Sequence, residues 1–307
     1  MKWYIILIIV LAALFILSFI YIIIVTYIKC FKRGKEIPLL ECDLRKTKYY
    51  PYINIIKEHY DYFNNLKYET LEVKSFDNLL LKANYYNNNS DKTVIFFHGY
   101  RATPLNNYQI IGKYLYEKGY NLLMVYQRCH GLSEGKYTTF GINEKYDVIS
   151  WVNKINDLYN PNKIVLYGLS MGAGTIMLST ELGLPNNVSA LVLDCGFDNS
   201  YQGMKNGVKR AFKFGYHTIT FFINLLIRMH GINLKKGLCY KALENNEIKA
   251  IFIHGNEDKL IPISMGKNNY NHNKGEKYFI ETNMTHAMSI YENTNDLVNK
   301  IIEYIEK

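Results

Sequence analysis

The stretch Lys163-Ile164-Val165-Leu166-Tyr167-Gly168-Leu169-Ser170-Met171-Gly172-Ala173-Gly174-Thr175 admits few folds. An apolar run of strand length drives through Gly168-Leu169-Ser170-Met171-Gly172 and straight into a helix-compatible run that reaches Glu181. A turn this tight strains the backbone of its central residue and leaves no room for side chains two positions before and after it. Gly168 and Gly172 supply that room. Ala173 and Gly174 extend the small surface, so the helix can lie close on the sheet. Its first amides lack intrahelical partners and point at whatever sits on the Ser170 hydroxyl. This is the setting of a nucleophile elbow, and Ser170 is the candidate nucleophile.

A serine hydroxyl attacks poorly until a base takes its proton, and the base must itself be held. Downstream, Ile251-Phe252-Ile253-His254-Gly255 reads as a strand leading into a polar loop that contains Asp258, and Lys277-Tyr278-Phe279-Ile280 as another strand before a loop ending in His286. The order serine, acid, histidine, each after a strand, makes Asp258 the expected acid and His286 the expected base. Taken singly, Asp258 also suits a helix cap near Ile263, and His286 an ordinary loop position. Asp194, at the end of the run Ser189–Leu193, is the rival acid. Upstream, Thr93-Val94-Ile95-Phe96-Phe97 is a continuous apolar strand ending in His98-Gly99. Acyl transfer develops a negative oxygen that backbone donors stabilise by about 3–4 kcal/mol each. The amides of Tyr100 and Met171 are the expected donors, with His98 fixing the loop.

With these motifs stand Gln127-Arg128-Cys129-His130-Gly131-Leu132-Ser133-Glu134-Gly135 and His254-Gly255-Asn256-Glu257-Asp258. Together they resemble the α/β-hydrolase superfamily, and within it the bacterial membrane-anchored serine hydrolases similar to serine aminopeptidases, dienelactone hydrolases and acylglycerol lipases. The resemblance spans residues 68 to 306. It implies an α/β-hydrolase fold, a mostly parallel central sheet with helices on both faces, and a Ser170, Asp258, His286 triad. Many relatives read Asp-x-Arg-Gly-His-Gly where this chain has Tyr126-Gln127-Arg128-Cys129-His130-Gly131, a departure that bears on the local turn. The resemblance implies no metal and no organic cofactor.

No charged residue occurs between Trp3 and Ile28. A helix over those residues spans about 39 Å, more than the ~30 Å hydrocarbon core, and Trp3, Tyr4 and Tyr27 suit its interfaces. A cleaved signal peptide has a shorter apolar region and a small-x-small site, which Thr26-Tyr27-Ile28-Lys29-Cys30 does not offer. An uncleaved single-pass anchor in the cell membrane is therefore expected, through residues 3–28. Lys2, Lys29, Lys32, Arg33 and Lys35 carry five of the net nine positive charges. Most of the basic excess thus flanks a membrane, suits anionic lipid and does not indicate nucleic acid. The larger cluster after the span favours a cytoplasmic catalytic domain. Five scattered cysteines with no Cys-x-x-Cys read as reduced thiols.

Organisation follows in three parts: an anchor with basic flank over 1–35, a tether with an amphipathic helix over 36–66, and an α/β-hydrolase domain over 67–307. Within the last, Tyr68–Phe76 and Leu79–Tyr86 predict a hairpin. Helices are expected over 107–118 and 143–158, strands over 121–126 and 163–167, in the alternation of a parallel sheet. An insertion over 198–245 is expected where such folds carry a cap, and its segment 201–231 fits a lid or a packed core helix equally. The expected function is a membrane-anchored serine hydrolase cleaving a carboxylic ester of a small, lipid-like acyl substrate. The alternatives are a serine peptidase or amidase on short peptides, and a non-catalytic binding protein of the same fold.

Overall fold

Strands buried on both faces need apolar residues at every position, and the runs at 93–97, 121–126, 163–169, 188–194 and 249–255 have them. In the computed structural model, which describes residues 2–36 and 38–307, they join one eight-stranded sheet. Its strands are β1 (Glu69–Lys74), β2 (Leu80–Tyr86), β3 (Lys92–Phe97), β4 (Asn121–Tyr126), β5 (Lys163–Leu169), β6 (Val188–Asp194), β7 (Lys249–Gly255) and β8 (Lys277–Thr282). The order across the sheet is β1-β2-β4-β3-β5-β6-β7-β8. β1 and β2 form the expected hairpin and β2 runs antiparallel to β4; every other pair is parallel. Central β3 shows how the residues serve both faces: Ile95 and Phe97 enter one core, Val94 and Phe96 the other.

Helices cover both faces. On one lie α3 (Pro104–Glu117) and α10 (Thr294–Glu306), with α2 (Ile53–Asn65) stacked on α3 through Phe63. On the other lie α4 (Glu144–Tyr159), α5 (Met171–Ser179), α8 (Cys239–Leu243) and α9 (Ile263–His272). α3 starts three residues earlier than the periodicity suggests. Thr103 caps it by accepting from the Asn106 amide at 3.2 Å, and Pro104 fits the first turn, where no amide donor is needed. This is the α/β-hydrolase fold.

Three further parts shape the site. α1 (Trp3–Phe31) is exposed from Lys2 to Ser18, but Ile23, Thr26, Tyr27 and Phe31 are buried on the domain. Phe31 packs edge-on to Phe140, and Tyr27 lies beside Tyr137 and His230. The segment between α1 and α2 packs as it goes: Leu39 and Leu44 enter a small cluster with Ile56, Tyr60, Ile110 and Tyr291. In the insertion, α6 (Ser200–Ala211) faces inward, and α7 (Tyr216–Arg228) packs on α6 and on α1. Phe222 of α7 meets Phe19 of α1 edge-on, while Phe214, Phe221, Leu225 and Met229 stay exposed.

Candidate active site

Ser170 sits between β5 and α5 with φ 55° and ψ −110°, a backbone state that few non-glycine residues hold. The neighbouring glycines are required by contact. A Cβ on Gly172 would lie 1.6 Å from the Phe97 carbonyl oxygen, and one on Gly168 2.5 Å from the Ala173 nitrogen. Gly174 meets the Phe197 ring in the same way. The turn is held from below, where the Ser170 amide donates to the Asp194 carbonyl at 2.7 Å.

The carboxyl ends of β7 and β8 bring in the two partners. Ser170 Oγ lies 2.9 Å from His286 Nε2, and His286 Nδ1 lies 2.6 Å from Asp258 Oδ2. An ionised carboxylate only accepts, so Nδ1 carries the proton and Nε2 is left to accept from the serine hydroxyl. Asp258 Oδ1 accepts from the amides of Leu260 and Ile261 at 2.9 and 2.8 Å. Burial alone would raise this carboxyl, but hydrogen bonds from His254 and His286 outweigh it and hold it well below the usual range. Asp258 therefore ties its own loop and holds the imidazole; it does not cap α9, which begins after Pro262 with no side-chain cap.

Asp194 takes no such part. Its carboxyl is buried, Oδ1 has no hydrogen-bond partner, and burial pushes its pKa up to about 7, opposed by the charge of His254. His98 behaves as a loop residue: Nδ1 donates to the Gly99 carbonyl, Nε2 accepts from the Gln127 amide, and burial with its neighbour His130 pushes it down to about 3. Tyr100 and Met171, the residues expected to supply oxyanion amides, both border the cavity at Ser170.

The segment from Tyr126 to Gly131 compensates for its departure from the common pattern. The Gln127 side chain donates to the His98 carbonyl at 2.5 Å and accepts from Thr175. Cys129 turns the chain with φ 68°. Buried Arg128 forks onto Asp147 and reaches Asp77; burial would lower its guanidinium, but these bonds carry it above its usual value. None of these partners was recognisable from spacing.

Cys195 Sγ, an Asp258 oxygen and a His286 nitrogen lie within 4.8 Å of one another, the one metal-like cluster among the described residues. Burial pushes the Cys195 thiol well up, so it keeps its proton, and both imidazole nitrogens already have partners. The donor set suits a proton relay better than a metal.

Ser170 stands where two cavities meet. One, of about 300 Å³, is walled by α6 through Met204 and Val208, by Phe212 just after it, and by the end of α1 through Val25, Thr26 and Cys30. The second, of about 290 Å³, is bounded by His286, Tyr49 and Asn107. Tyr100 ties α1 to the site, its hydroxyl donating to the Lys29 carbonyl at 2.5 Å. So α6 of the insertion walls the site and α7 braces it from behind, while α1 supplies a wall that the sequence pattern does not reveal.

Comparison with known proteins agrees with this architecture. A family profile described as the alpha/beta hydrolase fold matches residues 92–216. An uncharacterized protein of Bacillus subtilis, YqkD, is 24% identical over 217 residues, covering 70% of this chain and 71% of that one. Among solved structures, an esterase of Pyrococcus furiosus superposes with TM-score 0.67 at 24% identity, covering 81% of this chain and 94% of that one. An esterase of Exiguobacterium antarcticum gives 0.59 at 17%, covering 77% and 99%. The profile match and the structural neighbours share the α/β-hydrolase fold seen here.

Proposed function

We propose that this protein is a membrane-anchored serine hydrolase that cleaves carboxylic esters. The observation that carries the reading is His286, hydrogen-bonded to Ser170 Oγ through one ring nitrogen and to Asp258 through the other. Ser170 Oγ attacks the acyl carbonyl as Nε2 takes its proton, and Asp258 orients the ring and stabilises the imidazolium. The amides of Tyr100 and Met171 receive the developing oxyanion. His286 then gives the proton to the departing alkoxide, and a water activated by the same imidazole releases the acyl group. The same fold in two solved esterases supports an ester as substrate.

The anchor reading rests on α1. Its best 18-residue window has a mean hydropathy of 3.2. Trp3–Ile22, which precede the first buried residue Ile23, span about 30 Å of helix, the thickness of a hydrocarbon core. The exposed apolar side chains of α7 lie beside the end of that span, where they would meet the same interface. Full-length protein in detergent micelles tests the catalytic reading. A fluorophosphonate should label the wild type and not Ser170→Ala, and p-nitrophenyl esters should turn over only with the wild type. An unlabelled wild type that hydrolyses no ester would overturn it.

A further inference from the structure

The two sides of Ser170 differ in chemistry, and the mechanism says which part of a substrate goes to each. The leaving alkoxide must take its proton from His286 Nε2, so the alcohol portion lies on the His286 side and the acyl portion opposite. On the acyl side is the cavity between α1 and α6, whose lining is aliphatic and aromatic apart from few polar groups such as Thr26 and Lys29 at its α1 edge. On the alcohol side, the cavity of about 290 Å³ at Ser170 and His286 shares Lys48, Leu260 and His286 with an open cleft of about 670 Å³. Lys48, Lys209, Arg210 and Lys259 line it, against one acid, Glu257. These cations come from three separate parts of the chain: the segment before α2, α6, and the loop after β7. Lys48 Nζ donates to the His286 carbonyl, placing that charge at the catalytic loop. Among the described residues, neither Lys209 nor Arg210 has a carboxylate within ion-pair distance.

We infer that the substrate is an anionic acyl amphiphile, an ester whose fatty chain occupies the α1–α6 cavity and whose alcohol part carries a phosphate or similar compact anion held in the basic cleft. The inference rests on the serine-hydrolase reading and adds the substrate class. The chemistry balances without a co-reactant. The acyl C–O bond to the alcohol breaks as the bond to Ser170 Oγ forms, the serine proton passes through His286 to the alkoxide, and the phosphorylated alcohol leaves intact. Water then replaces Ser170 on the acyl carbon. Product anion and cleft cations attract through solvent, so the preference should weaken as salt screens them.

The test uses full-length protein in neutral detergent micelles with three substrates: decanoyl-glycerol, decanoyl-glycerol phosphate and acetyl-glycerol phosphate. The expected result is a kcat/KM for decanoyl-glycerol phosphate at least about tenfold above that for decanoyl-glycerol. The ratio should fall at least about fivefold in Lys209→Gln/Arg210→Gln, as for two partly exposed charge pairs, and should decline between low and molar salt. The acetyl ester should be the poorest. Equal or better turnover of the neutral ester, or a ratio unmoved by the double substitution, would overturn the anionic assignment even with fluorophosphonate labelling and ester hydrolysis intact. Acetyl and decanoyl phosphates turning over alike would overturn the acyl assignment. Loss of labelling and of all hydrolysis would instead remove the underlying hydrolase reading.

Discussion

His286 Nδ1 meets Asp258 Oδ2 at 2.6 Å, although the carboxylate of Asp194 also stands at the carboxyl edge of the sheet. The choice between two acids at neighbouring strand ends is made by what surrounds each. Asp258 is fixed by two amides, His254 and His286, all stabilising its charge. Asp194 is left with an unpartnered oxygen that favours the neutral form. Asp258→Asn should therefore lower kcat by about 10³- to 10⁴-fold, because an amide cannot hold the required tautomer. Asp194→Asn should keep kcat within about tenfold, since only its backbone touches Ser170. Steady-state rates on one p-nitrophenyl ester check both; the reverse pattern would exchange the assignments.

Asp194 also makes a prediction about stability. Folded, it titrates near 7 because it is buried; unfolded, it titrates near ~3.9. Between about pH 4 and 7 the folded chain keeps a proton that the unfolded chain has lost, so stability from this group is full below that window and falls as pH rises through it. Asn in its place cannot ionise. The Tm difference, Asp194→Asn minus wild type, should grow from pH 4 to about pH 7 and level off above it, and a difference flat across that range would contradict the buried carboxyl.

The elbow and the insertion predict opposite outcomes for two glycine-to-alanine changes. Gly172→Ala drives a methyl into the Phe97 carbonyl, at the centre of the sheet, and should cost more than about 3 kcal/mol or prevent folding. Gly207 lies in α6 with an ordinary helical backbone, and nothing stands within 4 Å of the place an alanine methyl would take. There alanine should stabilise by roughly 0.5–1 kcal/mol through helix propensity, a rise in Tm of about 1–2 °C in a chain of this size. Thermal unfolding of the two variants decides.

These sites differ in how far they can be read from residues alone. Ser170, Asp258 and His286 are legible because chemistry fixes their order and each follows an apolar strand, so local patterns carry the information. The support of the His98 loop by Gln127 and the fork of Arg128 onto Asp147 and Asp77 are not. Those partners are set by how strands stack across the sheet, and no local spacing records it. The alternatives for the insertion are not exclusive: α6 lines the cavity and α7 is half core, half surface. Least legible is the end of α1. A helix apolar all round carries no periodicity to distinguish the turns left exposed from those that dock on the domain.

That docking makes α1 part of the pocket, which gives the last prediction. Val25, Thr26 and Cys30 wall the cavity at Ser170, and Ile23, Tyr27 and Phe31 are the buried residues that hold them there. Removing residues 1–31 should therefore do more than take away the proposed membrane anchor. It opens one side of the acyl cavity while leaving β5, β7, β8 and the His286 contacts in place. Fluorophosphonate labelling of Ser170 should persist, and the preference for decanoyl over acetyl p-nitrophenyl esters should fall several-fold, because each methylene left in water forfeits up to ~0.8 kcal/mol of burial. In the full-length chain, Val25→Phe should shift the optimum toward shorter acyl groups by filling the same space from the same helix. A truncated protein with an unchanged chain-length profile, together with a silent Val25→Phe, would mean that α1 contributes no wall to the working site.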